Sequence, residues 1–155
     1  MYLKVKTWKL WLFSFFNLPL IFWLRPRIIE INNNKASIMI KLNHRSRNHI
    51  KSMYFGALCS GVDLAPGVLA MHLISQQKHK ISFVFKDFQA KFLHRCEDNT
   101  YFTCNEGHLI SVAINKTITT GKRQNITLNV FATVPSKFDS EPTGKFQLTL
   151  SLKKY

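Results

Sequence analysis

Asp63 is the only formally charged side chain between Ala57 and Ile74, and it is set among Leu58, Val62, Leu64 and Ala65. A carboxylate in an apolar wall is costly unless it is paired or hydrogen-bonded, and such surroundings push its pKa upward, the condition that makes a useful base. The same residue reads equally well as a structural acid, satisfied by a helix N-terminus or by Arg45 or Arg47. Asn48 stands upstream in a basic loop, and Met53-Tyr54-Phe55-Gly56 leads into the apolar run. If that run is a helix, the amides of Phe55 and Gly56 are among its unpaired first donors, placed where a developing negative charge is favoured. A carboxylate two turns further on could activate water.

Other groups invite weaker chemistry. His44 and His49 share the loop with Asn43, but no cysteine or carboxylate lies at ligand-like spacing from them, so no metal is expected. His49 with Asp63 forms an alternative, hydratase-type pair. Cys59, Cys96 and Cys104 are an odd set without a C-x-x-C pair, which excludes a zinc ribbon or a bridged secreted scaffold. A reducing, cytoplasmic setting follows, and the sequons at Asn115 and Asn125 are discounted on that ground.

These residues need elements to hold them. The chain has 155 residues, 46% of them hydrophobic, enough for one domain with a core that needs no staples. Residues 53–74 predict a buried helix with Ala57, Gly61 and Ala65 as a narrow ridge for close approach to a sheet, bent or broken at Pro66-Gly67. Residues 28–31 and 36–42 predict a strand pair turning at Asn32-Asn33-Asn34. Further strands are expected over 81–92, with a bulge near Asp87, and over 101–104, 124–134 and 145–153. Residues 107–120 satisfy helical spacing despite their β-branched content, with Asn105 as a cap and Gly121 as a stop.

The net charge of +14, from 22 basic and 8 acidic side chains, predicts an anionic partner. Residues 1–51 hold ten of the bases and a single acid, Glu30. Nucleic acid is not expected, because no recognition helix or RNA-binding motif is present. A membrane surface, an acidic protein and a phosphorylated cofactor such as coenzyme A stay open as partners, and Arg45, Arg47 and Lys51, which flank the candidate site, suit the phosphates of coenzyme A as well as they suit a solvated loop with no ligand. Residues 9–24 form an aromatic-rich apolar run too short to span a bilayer, interrupted by Asn17 and Pro19 and followed by no cleavage signal. The expectation is a kinked helical segment, residues 1–27, whose Trp8, Trp11, Phe13, Phe15, Phe16, Phe22 and Trp23 pack as a cap on a domain of residues 28–155. Peripheral contact with a membrane is the alternative.

Asn48, Phe55 and Asp63 also have the spacing of a known pattern. The chain resembles the hotdog-fold acyl-coenzyme A thioesterases, in particular bacterial relatives of the phenylacetate-degradation type. Many of these carry an Asn, a His-Gly-Gly-like start of the central helix seven residues later, and an Asp or Glu eight residues after that. The likeness runs from about Ile28 to Lys154 and includes Ser52-Met53-Tyr54-Phe55-Gly56-Ala57-Leu58, Phe83-Val84-Phe85-Lys86-Asp87-Phe88 and Leu148-Thr149-Leu150-Ser151-Leu152-Lys153-Lys154. It implies an α+β fold, a long central helix wrapped by a curved antiparallel sheet, and a homodimer or tetramer joined edge to edge with the acyl chain at the interface. It implies hydrolysis of an acyl-CoA or acyl carrier protein thioester, with no cofactor beyond the coenzyme A of the substrate. Asp63 would be base or nucleophile, Asn48 would position water or thioester, and the Gly56 amide would polarise the carbonyl. Tyr54, Phe55, Arg45, Arg47 and Lys51 would contact substrate. Tyr54-Phe55 departs from the pattern where His-Gly is frequent, and a non-catalytic hotdog protein that binds an acyl thioester or lipid is the alternative.

Overall fold

The computed structural model describes residues 2–155. Helices α1 (Tyr2–Asn17) and α2 (Pro19–Leu24) lead into strands β1 (Arg27–Ile31) and β2 (Ala36–Ile40). After a long loop come helix α3 (Phe55–Ile74), strands β3 (Ile81–Phe92) and β4 (Thr100–Cys104), helix α4 (Gly107–Thr120), strand β5 (Gln124–Thr133), a single turn α5 (Pro135–Phe138) and strand β6 (Pro142–Lys154). The strands form one antiparallel sheet in the order β1-β2-β4-β5-β6-β3, which leaves β1 and β3 as edges.

Helix α3 lies across this sheet, against β2, β4 and β5 and beside α4. Its expected small-residue ridge is the contact: Ala57, Gly61 and Ala65 are buried, and a methyl group at Gly61 would run into the ring of Phe102 on β4. Glycine is therefore required there for close approach. Of the bend or break expected at Pro66-Gly67 no break occurs, and the helix runs continuously for 20 residues. A mid-helix proline costs about 3 kcal/mol. Burial of Val62, Leu64, Val68 and Leu69 around it, worth roughly 1.5–3 kcal/mol for each such side chain, exceeds that cost.

The bulge near Asp87 is present. Phe85 pairs with Leu150 and Phe88 with Leu148, so Lys86 and Asp87 together stand opposite Thr149. The extra residue shifts the alternation by one, which puts Phe83 and Phe85 on the same face as Phe88, Ala90 and Phe92. Asp87 closes the irregularity by accepting a hydrogen bond at Oδ1 from the Thr149 amide, 2.8 Å. At α4 the flanking residue is Glu106 rather than the expected Asn105, and it offers no side-chain cap. The Glu106 carboxylate is turned to β5 instead, accepting from the Asn129 amide at 2.6 Å and from Asn129 Nδ2 at 2.8 Å. Gly121 ends the helix at φ 66°, as the stop requires.

The N-terminal pair breaks at Leu18, with Pro19 as the first residue of α2. Leu10, Ile21 and Leu24 enter the core, Thr7 Oγ1 accepts from the Ile28 amide at 3.0 Å, and Trp11 Nε1 donates to the Pro26 carbonyl at 2.6 Å. The packing expected of the aromatics is only partly realised: Trp8, Phe13, Phe15, Phe16 and Trp23 are exposed. The reason is geometric, since apolar side chains surround α1 on all sides and only one stripe of a helix can face the domain.

Candidate active site

The loop between β2 and α3 is fastened at several points. Ser46 is buried, its Oγ donating to the Lys41 carbonyl at 2.7 Å and accepting from the Asn43 amide at 3.1 Å. The Tyr54 amide donates to the Ser46 carbonyl at 2.7 Å, and the Met53 amide to the Cys96 carbonyl at 2.8 Å. Asn48 holds the tip: its Oδ1 accepts from the amides of Ile50 and Ser52, both 3.1 Å, and its Nδ2 donates to Ser52 Oγ at 2.9 Å. Both ends of that side chain are thus committed to shaping the approach to α3. A cavity of about 380 Å³ beside the loop is lined by Asn48, Ser52, Met53, Leu58, Phe92 and His94 among others.

The basic residues divide. The Arg45 guanidinium lies over the Trp23 ring, 4.8 Å from its centroid, and Nη1 reaches the Trp23 carbonyl at 3.4 Å. It belongs to the α2 contact, whereas Arg47 and Lys51 are open to solvent at the loop tip, Lys51 with φ 65°. His44 and His49 are exposed as well, with no bond to Asp63. Among the described residues no three His, Cys, Asp or Glu side chains gather as a metal-ligating cluster.

Helix α3 begins without a side-chain cap. The first bond around its start runs from the Leu58 amide to the Tyr54 carbonyl. No protein group among the described residues accepts from the amides of Phe55, Gly56 or Ala57. Those N–H groups and the helix dipole make a place for an oxyanion. Tyr54 and Phe55 are both exposed, and the Tyr54 ring lies against the α-carbon of Gly56. The Phe55 ring sits 5.8 Å from Phe92, which touches Phe146 at 5.7 Å, and Phe88 meets Phe146 at 6.0 Å. This aromatic wall joins the start of α3 to the end of β3. Phe88, Phe92 and Phe146 carry no signal of a site in the sequence, where each reads as an ordinary position of an alternating strand, and only the pairing of β3 with β6 brings them beside Phe55.

Asp63 has no hydrogen bond and no ion pair among the described residues, where the ion pairs are Lys35–Glu30 at 2.7 Å and His94–Glu141 at 3.2 Å. The structural alternative, an acid satisfied by a helix end or by Arg45 or Arg47, is therefore not what the fold builds. Although its side chain reaches solvent, its apolar surroundings desolvate the carboxyl and push it above its ordinary value. Asp63 shares a helical face with Cys59 and with Gly67, and Gly67 faces the rings of Phe83 and Phe85 on β3. The carboxylate thus lies on the side of α3 turned toward the free edge of the sheet. Along the axis it stands about 10 Å from Gly56, seven residues at 1.5 Å each.

Burial pushes all three thiols up, Cys104 to about 11, and no disulfide forms. An apolar-lined cavity of about 310 Å³ lies away from Asp63, between α1, β1 and the last turns of α3, with Lys9, Phe13, Ile31, Met71 and His72 in its wall.

A six-stranded antiparallel sheet packed on one long central helix defines a hotdog fold, and solved structures share it. A protein of unknown function from Chlorobaculum tepidum superposes with a TM-score of 0.79 at 14% identity, covering 99% of this chain and 97% of that one. A candidate thioesterase from Shewanella oneidensis gives 0.76 at 11% identity over 92% and 94% of the two chains. A thioesterase from Haemophilus influenzae gives 0.68 at 11% identity over 92% and 88%. The chain itself belongs to the DUF4442 family, described as a domain of unknown function, which matches residues 8–131. None of the curated proteins matches it.

Proposed function

We propose that this protein hydrolyses acyl thioesters of coenzyme A or of an acidic acyl carrier protein, with Asp63 as general base. The observation that carries this reading is a carboxylate on the central helix that is exposed to solvent, has no hydrogen bond or ion pair among the described residues, and shares its helical face with Gly67 opposite Phe83 and Phe85 at the free edge of the sheet. The hotdog fold, shared with a protein named as a thioesterase, supports the same reading.

In the proposed step Asp63 takes a proton from water as the water oxygen attacks the thioester carbon. The negative charge that forms on the carbonyl oxygen points at the Gly56 amide. Collapse of the tetrahedral species breaks the carbon–sulfur bond, and the proton held by Asp63 goes to the departing thiolate, leaving a carboxylic acid and a thiol. Asn48 acts as a positioning residue that shapes the helix start, and Phe55 with the aromatic wall covers the acyl group. Arg47 and Lys51 meet the phosphates of the carrier.

The separation along α3 dictates who supplies each part. An acyl carbon held at a Gly56 amide is about two turns from the Asp63 of the same helix, too far for one water to bridge. A second copy running antiparallel beside the first brings its own carboxylate to that carbon. The free edge of β3 suits such pairing, since it spans 12 residues and carries exposed Val84, Phe88 and Phe92. The reading therefore includes a homodimer joined through β3 with two shared sites.

A specific observation favours the second reading, a binding protein without turnover: the Tyr54 ring lies against Gly56 on the side where a methyl group would stand, which crowds the start of α3. A panel of acyl-coenzyme A substrates assayed with a thiol reporter separates the two. Thiol release that saturates with substrate supports hydrolysis, while saturable binding of the same esters with no release supports the binder.

A further inference from the structure

We propose that the outward face of α1 and α2 docks the protein on an anionic lipid bilayer. Trp8, Leu12, Phe15 and Phe16 recur at helical spacing along α1, and Leu20 and Trp23 continue the surface on α2. All six are exposed, Phe16 at 73%, Leu20 at 62% and Trp8 at 60%. The opposite side of the pair packs into the core through Leu10, Ile21 and Leu24, so the apolar face is held outward rather than swinging free. Contiguous apolar surface of this kind marks an interaction site.

Charge selects the occupant. Residues 1–29 contain Lys4, Lys6, Lys9, Arg25 and Arg27 and no acid. Guanidinium groups border the apolar face, Arg25 lying 5.5 Å from the Trp11 ring and 5.2 Å from Phe22, and Arg45 4.8 Å from Trp23. Rings below and cations at the rim match acyl chains below and phosphate headgroups at the rim. A second copy would bring the same cations to this face and be repelled. The segment lies on the bilayer rather than through it, since α1 is about 24 Å long against the roughly 30 Å of a hydrocarbon core and the chain turns at Leu18-Pro19.

Co-sedimentation with vesicles tests this. The intact protein should pellet with vesicles of phosphatidylglycerol and phosphatidylcholine and remain in solution with phosphatidylcholine alone, and its Trp emission should move to shorter wavelength on binding. The double variant Phe16→Ser, Leu20→Ser removes two solvent-exposed side chains, so its fold should hold while its vesicle affinity falls at least about tenfold. Acyl-coenzyme A hydrolysis free of vesicles should be the same for both proteins, which keeps this result separate from the role of Asp63. Failure of the intact protein to pellet would overturn the proposal, as would unaltered pelleting of the double variant. An oligomer that the double substitution dissociates, with no vesicle binding, would assign the face to a second copy instead.

Discussion

Replacing Asp63 with Asn keeps the volume and removes the charge, and the structure sets opposite expectations for activity and stability. Activity should fall at least about 10²-fold, the scale for a positioned acid or base, equivalent to roughly 2.7 kcal/mol of barrier. Stability should not fall, because Asp63 has no bond or ion pair among the described residues to lose and its apolar surroundings disfavour the ionised form of a side chain that still reaches solvent. The sign follows from proton linkage. The folded-state pKa lies above the ordinary 3.8, so the folded chain binds more protons than the unfolded one just above that pH, and stability declines as pH rises through the window. The penalty is absent well below 3.8, complete above the raised folded value, and removed at neutral pH by Asn. Urea titrations of both proteins at neutral and acidic pH, beside steady-state thiol release, give the comparison. Wild-type kcat/KM should also rise with pH along a limb displaced upward from the ordinary value of an aspartate, and that limb should vanish in the variant. Retention of most turnover, or a loss of stability at neutral pH matching the loss of activity, would refute the catalytic assignment and make Asp63 a structural acid.

Two other changes probe the loop and the core. Arg47→Gln with Lys51→Gln should raise KM for coenzyme A esters and flatten its salt dependence with little change in kcat, because exposed charges act within about 8 Å at physiological ionic strength; Arg45→Gln should have the smaller effect, its guanidinium being stacked on Trp23. Gly61→Val should destabilise by at least about 1–3 kcal/mol in denaturant titration, since the added methyls meet the Phe102 ring at the closest approach of α3 to the sheet.

Most of the fold is legible in the periodicity of the sequence. The strand pair turning at Asn32-Asn33-Asn34, the helix over 107–120 stopped by Gly121 and the bulge at Asp87 are local patterns, and they appear where expected. The break that Pro66 could impose is absent because its cost is local, whereas the burial that outweighs it comes from β2, β4 and β5. Asn105 was misread as a cap because the partner that fixes the helix start, Asn129 on β5, is distant in sequence. Asp63 stood out as a charge in an apolar run, but its lack of a partner was not legible, since Arg45 and Arg47 are close enough in sequence to have supplied one. Arg45 turns instead to Trp23, a contact made only by folding the N-terminal helices onto the loop. The same folding decides which aromatics of α1 are covered, which composition alone does not reveal.

The central claim, that one copy of α3 presents the oxyanion donor while the other presents Asp63, is tested most directly by mixed dimers. Gly56→Pro removes one amide N–H at a helical position that makes no intrahelical bond, and Asp63→Asn removes the base. Each homodimer should be inactive. Co-expressed in equal amounts, the two chains should form mixed dimers in which one of the two shared sites retains both groups, restoring about a quarter of wild-type turnover by the statistics of twofold assembly. Mixed dimers as inactive as their parents would contradict the account, because they would place both groups on a single chain or outside the reaction.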